Sequence, residues 1–275
     1  MNNRRPDTIN PSRRGVSFTR CDRGADRHRG CLPVQGYPLS SMTPSSILHS
    51  IRRTVRNHGH LPAAYDIAVR SLNKCVYFKT LQCIVIDEVN QRDLILPEHL
   101  RFTGLEPRDL LTIIENPEYE MSADFVQQAL AKGDECYGIL DEDILASYGW
   151  YARSATSLDP DDLIFHFDDK YVYMYKGFTL HSYRGQRLHA IGMTRALAEY
   201  QSRSFKGLVS CVESNNFDSL KSCYRMGYHD CGRIRVTRIV GKYVFRTQPE
   251  CRPYGISLRI NDCRNNLTVQ TNHSK

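Results

Sequence analysis

No run of the 275 residues approaches the ~20 consecutive apolar positions that a membrane-spanning helix needs. The N-terminus has arginines but lacks the apolar core of about 7–15 residues that marks a secretory signal. The ten cysteines form no Cys-x-x-Cys pair. Zinc sites usually draw ligands from such close pairs, so no metal is expected. Several cysteines instead sit in apolar runs, as in Cys83-Ile84-Val85-Ile86, and read as small buried hydrophobes in a reducing compartment. The expected location is the cytoplasm. A basic face on the folded part is also missing. Of the net charge of +7, residues 1–41 supply a surplus of five, with eight arginines against three aspartates, which leaves +2 for the other 234 residues. No nucleic-acid partner is expected.

The composition that remains, 41% hydrophobic and 24% charged, is that of a globular chain able to bury one sizeable core. Residues 1–45 are rich in Arg, Ser, Pro, Gly and Asn, have no hydrophobic period, and read as a disordered leader. Met42 stands before Thr43-Pro44-Ser45-Ser46, a good helix start, and is an alternative translation start. Residues 46–79 form a basic amphipathic helical extension. Ile47, Leu48, Ile51 and Val55 share one face, Arg52, Arg53 and Arg56 the other, and Asp66 is the segment's single acid. Such a pair of helices either packs on the domain beside it or touches a membrane surface peripherally.

From residue 80 to 249 strands and helices alternate. Strands are expected at 82–88, 135–140, 144–154, 170–178, 207–212, 232–240 and 242–247, the last two joined at Gly241. Helices are expected at 107–116, 122–132, 187–202 and 216–226, with Ser122 and Gly133 as caps of the second. Asp141-Glu142-Asp143 fits a hairpin turn although it lacks glycine. Residues 250–275 are polar and read as a loosely attached tail.

Chemistry concentrates at 170–190. A strand ends near Thr179, a polar loop carries Tyr183-Arg184-Gly185-Gln186, and a helix begins near Arg187. The first amides of a helix lack internal partners and sit at the positive end of its dipole, so a diphosphate can take them. Gly185 permits the backbone angles that turn successive amides inward, while Arg184 and Arg187 add charge.

Tyr183-Arg184-Gly185-Gln186-Arg187-Leu188 resembles the cofactor loop of the Gcn5-related N-acetyltransferase (GNAT) superfamily. Downstream, Asn216-Phe217-Asp218-Ser219-Leu220 followed by Met226-Gly227-Tyr228 is similar to that family's second signature. The resemblance spans roughly residues 82–247. It implies an α/β (α+β) fold with a mixed, mostly antiparallel central sheet, helices on both faces, and a V-shaped splay between two central parallel strands. It also implies acetyl-CoA or another acyl-CoA as co-substrate. Backbone groups around Phe178, Thr179 and Leu180 would pair with the pantetheine arm, amides of Arg184, Gly185, Gln186, Arg187, Leu188 and His189 would hold the diphosphate, and Asn216, with Ser219 beside it, would contact the arm's far end.

The sequence departs from that pattern in two places. The family has Gly where Arg187 stands and Gly or Ala where His189 stands; either residue could turn to solvent, or Arg187 could supply charge. Many members place a tyrosine four residues before the closing Gly as general acid, and here that position is Cys223, with Tyr224 one residue late. At about 100° per residue, Cys223 falls roughly 20° from Asn216 on the helix and Tyr224 about 80° away. Cys223 and Tyr224 are both acid candidates, or packing residues. Base candidates are Glu213, and a group of His166, Asp168 and Asp169. Tyr148, Trp150, Tyr151, Tyr171, Tyr173 and Tyr175 lie on neighbouring strands, and half are expected to line an acceptor surface suited to an apolar or ring-bearing group. The resemblance implies N-acyl transfer by direct attack of an amine, or, as the alternative, a non-catalytic CoA-binding or interaction module.

Overall fold

The computed structural model describes residues 44–158, 162–240 and 242–261. The leader before residue 44, Gly241 and the chain beyond residue 261 lie outside the described residues.

The chain opens with α1 (Pro44–His58) and α2 (His60–Cys75), then β1 (Tyr77–Ile86), β2 (Leu100–Gly104), α3 (Pro107–Ile113), α4 (Ala123–Lys132), β3 (Glu135–Asp141) and β4 (Ile144–Ala152). Two short strands follow, β5 (Thr156–Leu158) and β6 (Leu163–His166), then β7 (Tyr171–Thr179), α5 (Leu188–Ser202), β8 (Gly207–Glu213), α6 (Phe217–Met226), β9 (His229–Ile239), β10 (Lys242–Thr247) and β11 (Ser257–Ile260). Eight strands form one sheet in the order β10-β9-β1-β8-β7-β4-β3-β2. Every neighbouring pair in it is antiparallel except β7 and β8 at its centre.

Alternation along the strands divides the apolar side chains between two faces. Val209, Cys211, Tyr173 and Tyr175 pack with Leu110, Phe125 and Ala129 of α3 and α4. Leu208, Val212, Val172 and Met174 pack with Met193, Leu197 and Tyr200 of α5 and with Leu220 and Met226 of α6. Local signals set the ends of the elements. Ser122 Oγ accepts the Phe125 amide at 3.2 Å, and Gly133 closes α4 at φ +82°. In the β3–β4 turn, Glu142 takes the left-handed conformation (φ +51°) that glycine would have provided more cheaply.

Several expectations need correction. The first strand begins at Tyr77, five residues earlier than expected, because β9 pairs with it along Tyr77–Gln82. β2 and the second sheet, ordered β11-β6-β5, were not anticipated. The expected loose tail is built into the fold up to residue 260. β11 pairs with β6, and Cys251, Ile256 and Leu258 are buried in the main core. The six aromatic residues of neighbouring strands do not form an open acceptor surface. All are at most 8% exposed, and five of them (Tyr148, Trp150, Tyr171, Tyr173, Tyr175) belong to the α3–α4 side of the core.

The extension packs on the domain. Asp66, 3% exposed, is held by Arg70 at 2.7 Å and by Asn215 Nδ2 at 2.9 Å. Tyr65 Oη lies 2.8 Å from Ser214 Oγ, and His58 Nε2 lies 2.9 Å from Asp218. α1 and α2 therefore grip the loop that starts α6. No helix among the described residues is long and apolar enough to cross a membrane.

Candidate functional site

β7 and β8 pair only at Tyr171↔Gly207, Val172↔Leu208 and Tyr173↔Val209. β7 then carries one residue too many for its other neighbour. Trp150 pairs with Lys176 and Tyr151 with Met174, so Tyr175 is the extra residue in the register. Such a bulge bends a strand and re-aims its side chains. Tyr175 and Lys176 both turn to the α3–α4 face, where Tyr175 Oη donates to Asp134 at 2.8 Å and Lys176 Nζ lies 5.2 Å from the Phe125 ring centre. Gly177 consequently faces α5. Ser210 Oγ donates to the Met174 carbonyl at 2.8 Å at the vertex where the strands part.

Beyond that vertex lies a cleft of about 480 Å³, partly open to solvent. Gly177, Phe178 and Thr179 of β7 line one side, Ser219, Ser222, Cys223 and Met226 of α6 another, and His189 the floor. The α6 contributors recur at i, i+3, i+4 and i+7, so one stripe of the helix faces the cleft.

The loop after β7 is anchored from several directions. Tyr183 Oη donates to Asp141 at 2.7 Å, and Leu188 is buried with Leu100, Ile139 and Ile191. Arg187 Nη2 pairs at 2.7 Å with Asp93, whose side chain is 2% exposed and also accepts from Asn90 at 3.0 Å. Gly185 and Arg187 both have positive φ, +87° and +61°. Arg187 thus adopts the backbone conformation that glycine would have at this position, and its ion pair offsets the cost of about 1–2 kcal/mol. Among the described residues no bond is donated by the amides of residues 185–190; the first is Ile191 N–H to Arg187 O at 3.0 Å. α5 has no side-chain cap and no acid in its first turn. The result is a rigid loop ending in uncommitted donors at the positive end of a helix.

The structure brings together Phe178, Thr179, Ser219, Cys223 and His189 in the cleft, with Gly185, Gln186, Arg187 and Leu188 beside it. Arg184 Nε donates to the Thr179 carbonyl at 3.3 Å, across the end of β7. Of the two departures, Arg187 stays largely exposed while its guanidinium pairs with Asp93, and His189 does not turn to solvent but packs inward against Gly177. The Leu180 amide is committed to Ala146 O at 2.9 Å, so it is not free for a ligand. Asn216 Oδ1 caps α6 by accepting the Ser219 amide at 3.3 Å.

Tyr224 is 43% exposed and donates to Asp230 at 2.7 Å, away from the cleft. Burial, with that bond, raises its pKa further. Cys223 occupies the cleft-facing position instead, with its thiol pushed up to about 12 by burial. Glu213 is bound to Lys79 Nζ at 2.9 Å, and alternation along β8 places it with Cys211 on the face opposite the cleft. His166 ends β6, and Asp168 and Asp169 lie in the turn before β7, at the end of that strand roughly 30 Å from the cleft, where Asp168 accepts the Lys170 amide at 2.9 Å. They take no part in this site. Sequence reasoning missed Gly177, Ser222 and Met226 as lining residues, although the α6 stripe was legible from its spacing, and missed Asp93. Among the described residues no group of three or more His, Cys, Asp or Glu side chains could hold a metal.

No protein-family model matches the chain, and no curated protein does. Solved structures that it is similar to include a GCN5-related N-acetyltransferase from Sphaerobacter thermophilus, at TM-score 0.42 and 11% identity over 66% of this chain and 55% of that one. A second is a GCN5-related N-acetyltransferase-like protein from Streptococcus suis, at 0.41 and 15% over 67% and 68%. A third is a GNAT-family protein from Novosphingobium aromaticivorans, at 0.42 and 13% over 59% and 65%. The chain thus spans less than two thirds of the length of two of these three.

Proposed function

We propose that the chain is an acyl-CoA-dependent N-acyltransferase that moves an acyl group, acetyl by preference, from the thioester to an amine by direct attack. The observation that carries this reading is the continuity of two features. His189, in the first turn of α5, lines the cleft beyond the β7 bulge, and the uncapped start of that helix immediately precedes it in the chain. A ligand that fits both has an extended arm bearing amides and, at one end, a diphosphate.

In this reading the amides of 185–190 bind the diphosphate, and the edge of β7 at 177–179, which pairs with no strand on the β8 side, takes the arm as an added strand as Arg184 releases the Thr179 carbonyl. The amine nitrogen attacks the thioester carbonyl, the C–N bond forms, the C–S bond breaks, and the thiolate leaves. Holding the two reactants in register supplies much of the acceleration. The Cys223 thiol faces the cleft in its protonated form, and because burial makes it a weak acid it protonates the departing thiolate only as a relay, regaining by way of solvent the proton that the nitrogen gives up as the amide forms. Before the attack the acceptor ammonium gives a proton to solvent, which frees the nitrogen lone pair.

The test is calorimetric titration with acetyl-CoA, followed by thioester cleavage over a panel of amines. Saturable binding that Gly185→Asp abolishes, with amine-dependent cleavage, supports the reading. Binding without amine-dependent cleavage would leave a CoA-binding module. No binding refutes both.

A further inference from the structure

His189 stands where the loop motif that this chain resembles has Gly or Ala, and its imidazole is turned into the protein. A Cβ on Gly177 would collide with the ring at Cε1 and lie 3.0 Å from Nδ1. The ring therefore occupies the space that a glycine on β7 leaves, and the two residues are matched in shape. One side of the ring lines the open cleft between β7 and α6. The ring also lines a smaller crevice, with room for about one water, shared with Ser147, Tyr151 and Met193. No described residue bonds the imidazole nitrogens. Burial lowers its pKa below the ordinary histidine value, so near neutral pH the ring is uncharged, with one nitrogen a donor and the other an acceptor.

The ring nitrogens bond no described protein group and the ring lines a cleft open to solvent, so a ligand there can take the place of water on them. Against the cleft the ring faces the same Gly177–Thr179 segment whose edge pairs with no strand on the β8 side. A strand-like arm laid along that edge would carry its own amides past the ring. Resting on the acyl-CoA reading above, we infer that His189 is a ligand-contacting residue that hydrogen-bonds an amide of the bound arm, so that arm recognition here uses a side chain as well as the β7 backbone.

The experiment uses the full chain and two probes: CoA, which has the arm, and ADP, which has the diphosphate without it. Calorimetry compares parent, His189→Ala and His189→Gln, and histidine-ring NMR of the parent follows His189 directly. His189→Ala is expected to weaken CoA binding about fivefold to tenfold, the effect of one hydrogen bond between neutral groups, while His189→Gln, which keeps a donor and an acceptor, stays within about twofold of the parent. The His189 ring signals should move further at saturation with CoA than with ADP, whose diphosphate reaches only the backbone amides beside the ring. The NMR arm needs no variant, so a poorly folded His189→Ala does not rescue the idea. Ring signals unmoved by CoA, or moved equally by ADP, overturn the inference while leaving the acyl-CoA reading intact. Equal affinity of parent and His189→Ala does the same. A parent that binds no CoA removes both.

Discussion

A methyl group added at Gly177 has nowhere to go. It would meet His189 at Cε1, with Nδ1 at 3.0 Å and the Met174 methyl at 2.8 Å. Met174 ends in a flexible thioether and can yield, whereas the imidazole is a rigid plate that must rotate toward the cleft. Overpacking of this kind costs about 1–3 kcal/mol. Replacing a strand glycine by alanine returns about 0.5–1 kcal/mol through the unfolded state. Gly177→Ala is therefore expected to destabilise the protein by about 1–2 kcal/mol, read as a lower urea midpoint at unchanged slope. The decisive measurement is the cycle with His189→Ala. If the ring is what the methyl strikes, the double variant recovers most of the loss caused by Gly177→Ala, with a coupling of about 1 kcal/mol or more. The same displacement pushes the ring into the cleft. Gly177→Ala should therefore weaken CoA binding when His189 is intact, and much less when it is combined with His189→Ala. Additive effects on stability, within about 0.3–0.5 kcal/mol, would refute the packing argument.

Arg187 combines a left-handed backbone with an ion pair to buried Asp93. Arg187→Gly relieves the strain but orphans the carboxylate, and Arg187→Ala orphans it without relief, so thermal midpoints should fall in the order parent, Gly, Ala, the glycine variant losing about 1–3 kcal/mol. Glu135 accepts from Arg203 at 2.7 and 2.9 Å and from Tyr200 at 3.0 Å, and the Arg203 bonds, chiefly, hold its carboxyl below the ordinary value. A depressed carboxylate contributes stability that is present above the unfolded-state pKa of about 4.3 and is lost as pH falls through the folded-state value. Glu135→Gln should thus be less stable than the parent at pH 7, and the two unfolding curves should converge as pH falls below the depressed folded-state value. Tyr224→Phe, which removes only a surface bond to Asp230, is expected to leave amine-dependent turnover within about twofold, while Cys223→Ala lowers it; the reverse order in a steady-state assay would return the acid role to Tyr224.

How much of this was legible in the sequence follows from the range over which each signal acts. The caps of α4, the glycine-bearing loop and the cleft-facing stripe of α6 are local. They depend on residues within a turn of one another, and helical angle alone put Cys223 rather than Tyr224 on the cleft side. What stayed hidden depends on partners far along the chain. Nothing near Arg187 announces Asp93, far upstream, and nothing near Gly177 announces that the bulge at Tyr175 turns it onto His189. The central sheet was readable as a class of fold because β1, β4, β7 and β8 carry long buried, largely apolar runs between helical patterns. β11 was not, since a four-residue edge strand alternates too briefly to stand out from a polar tail. Its anchoring residues nevertheless obey the period of two: Ile256 and Leu258 face inward, and Cys251 packs against Gly232, where any side chain would come within 2.8 Å of its sulfur. Ending the chain at Gln248 removes these three buried side chains at about 1.5–3 kcal/mol for each of Ile256 and Leu258, with the Cys251 contribution in addition. That is a large share of the roughly 5–15 kcal/mol typical of a domain. The shortened chain is expected to show no cooperative unfolding transition at about 37 °C in circular dichroism. A parental transition would mean that the second sheet is an accessory rather than part of the core.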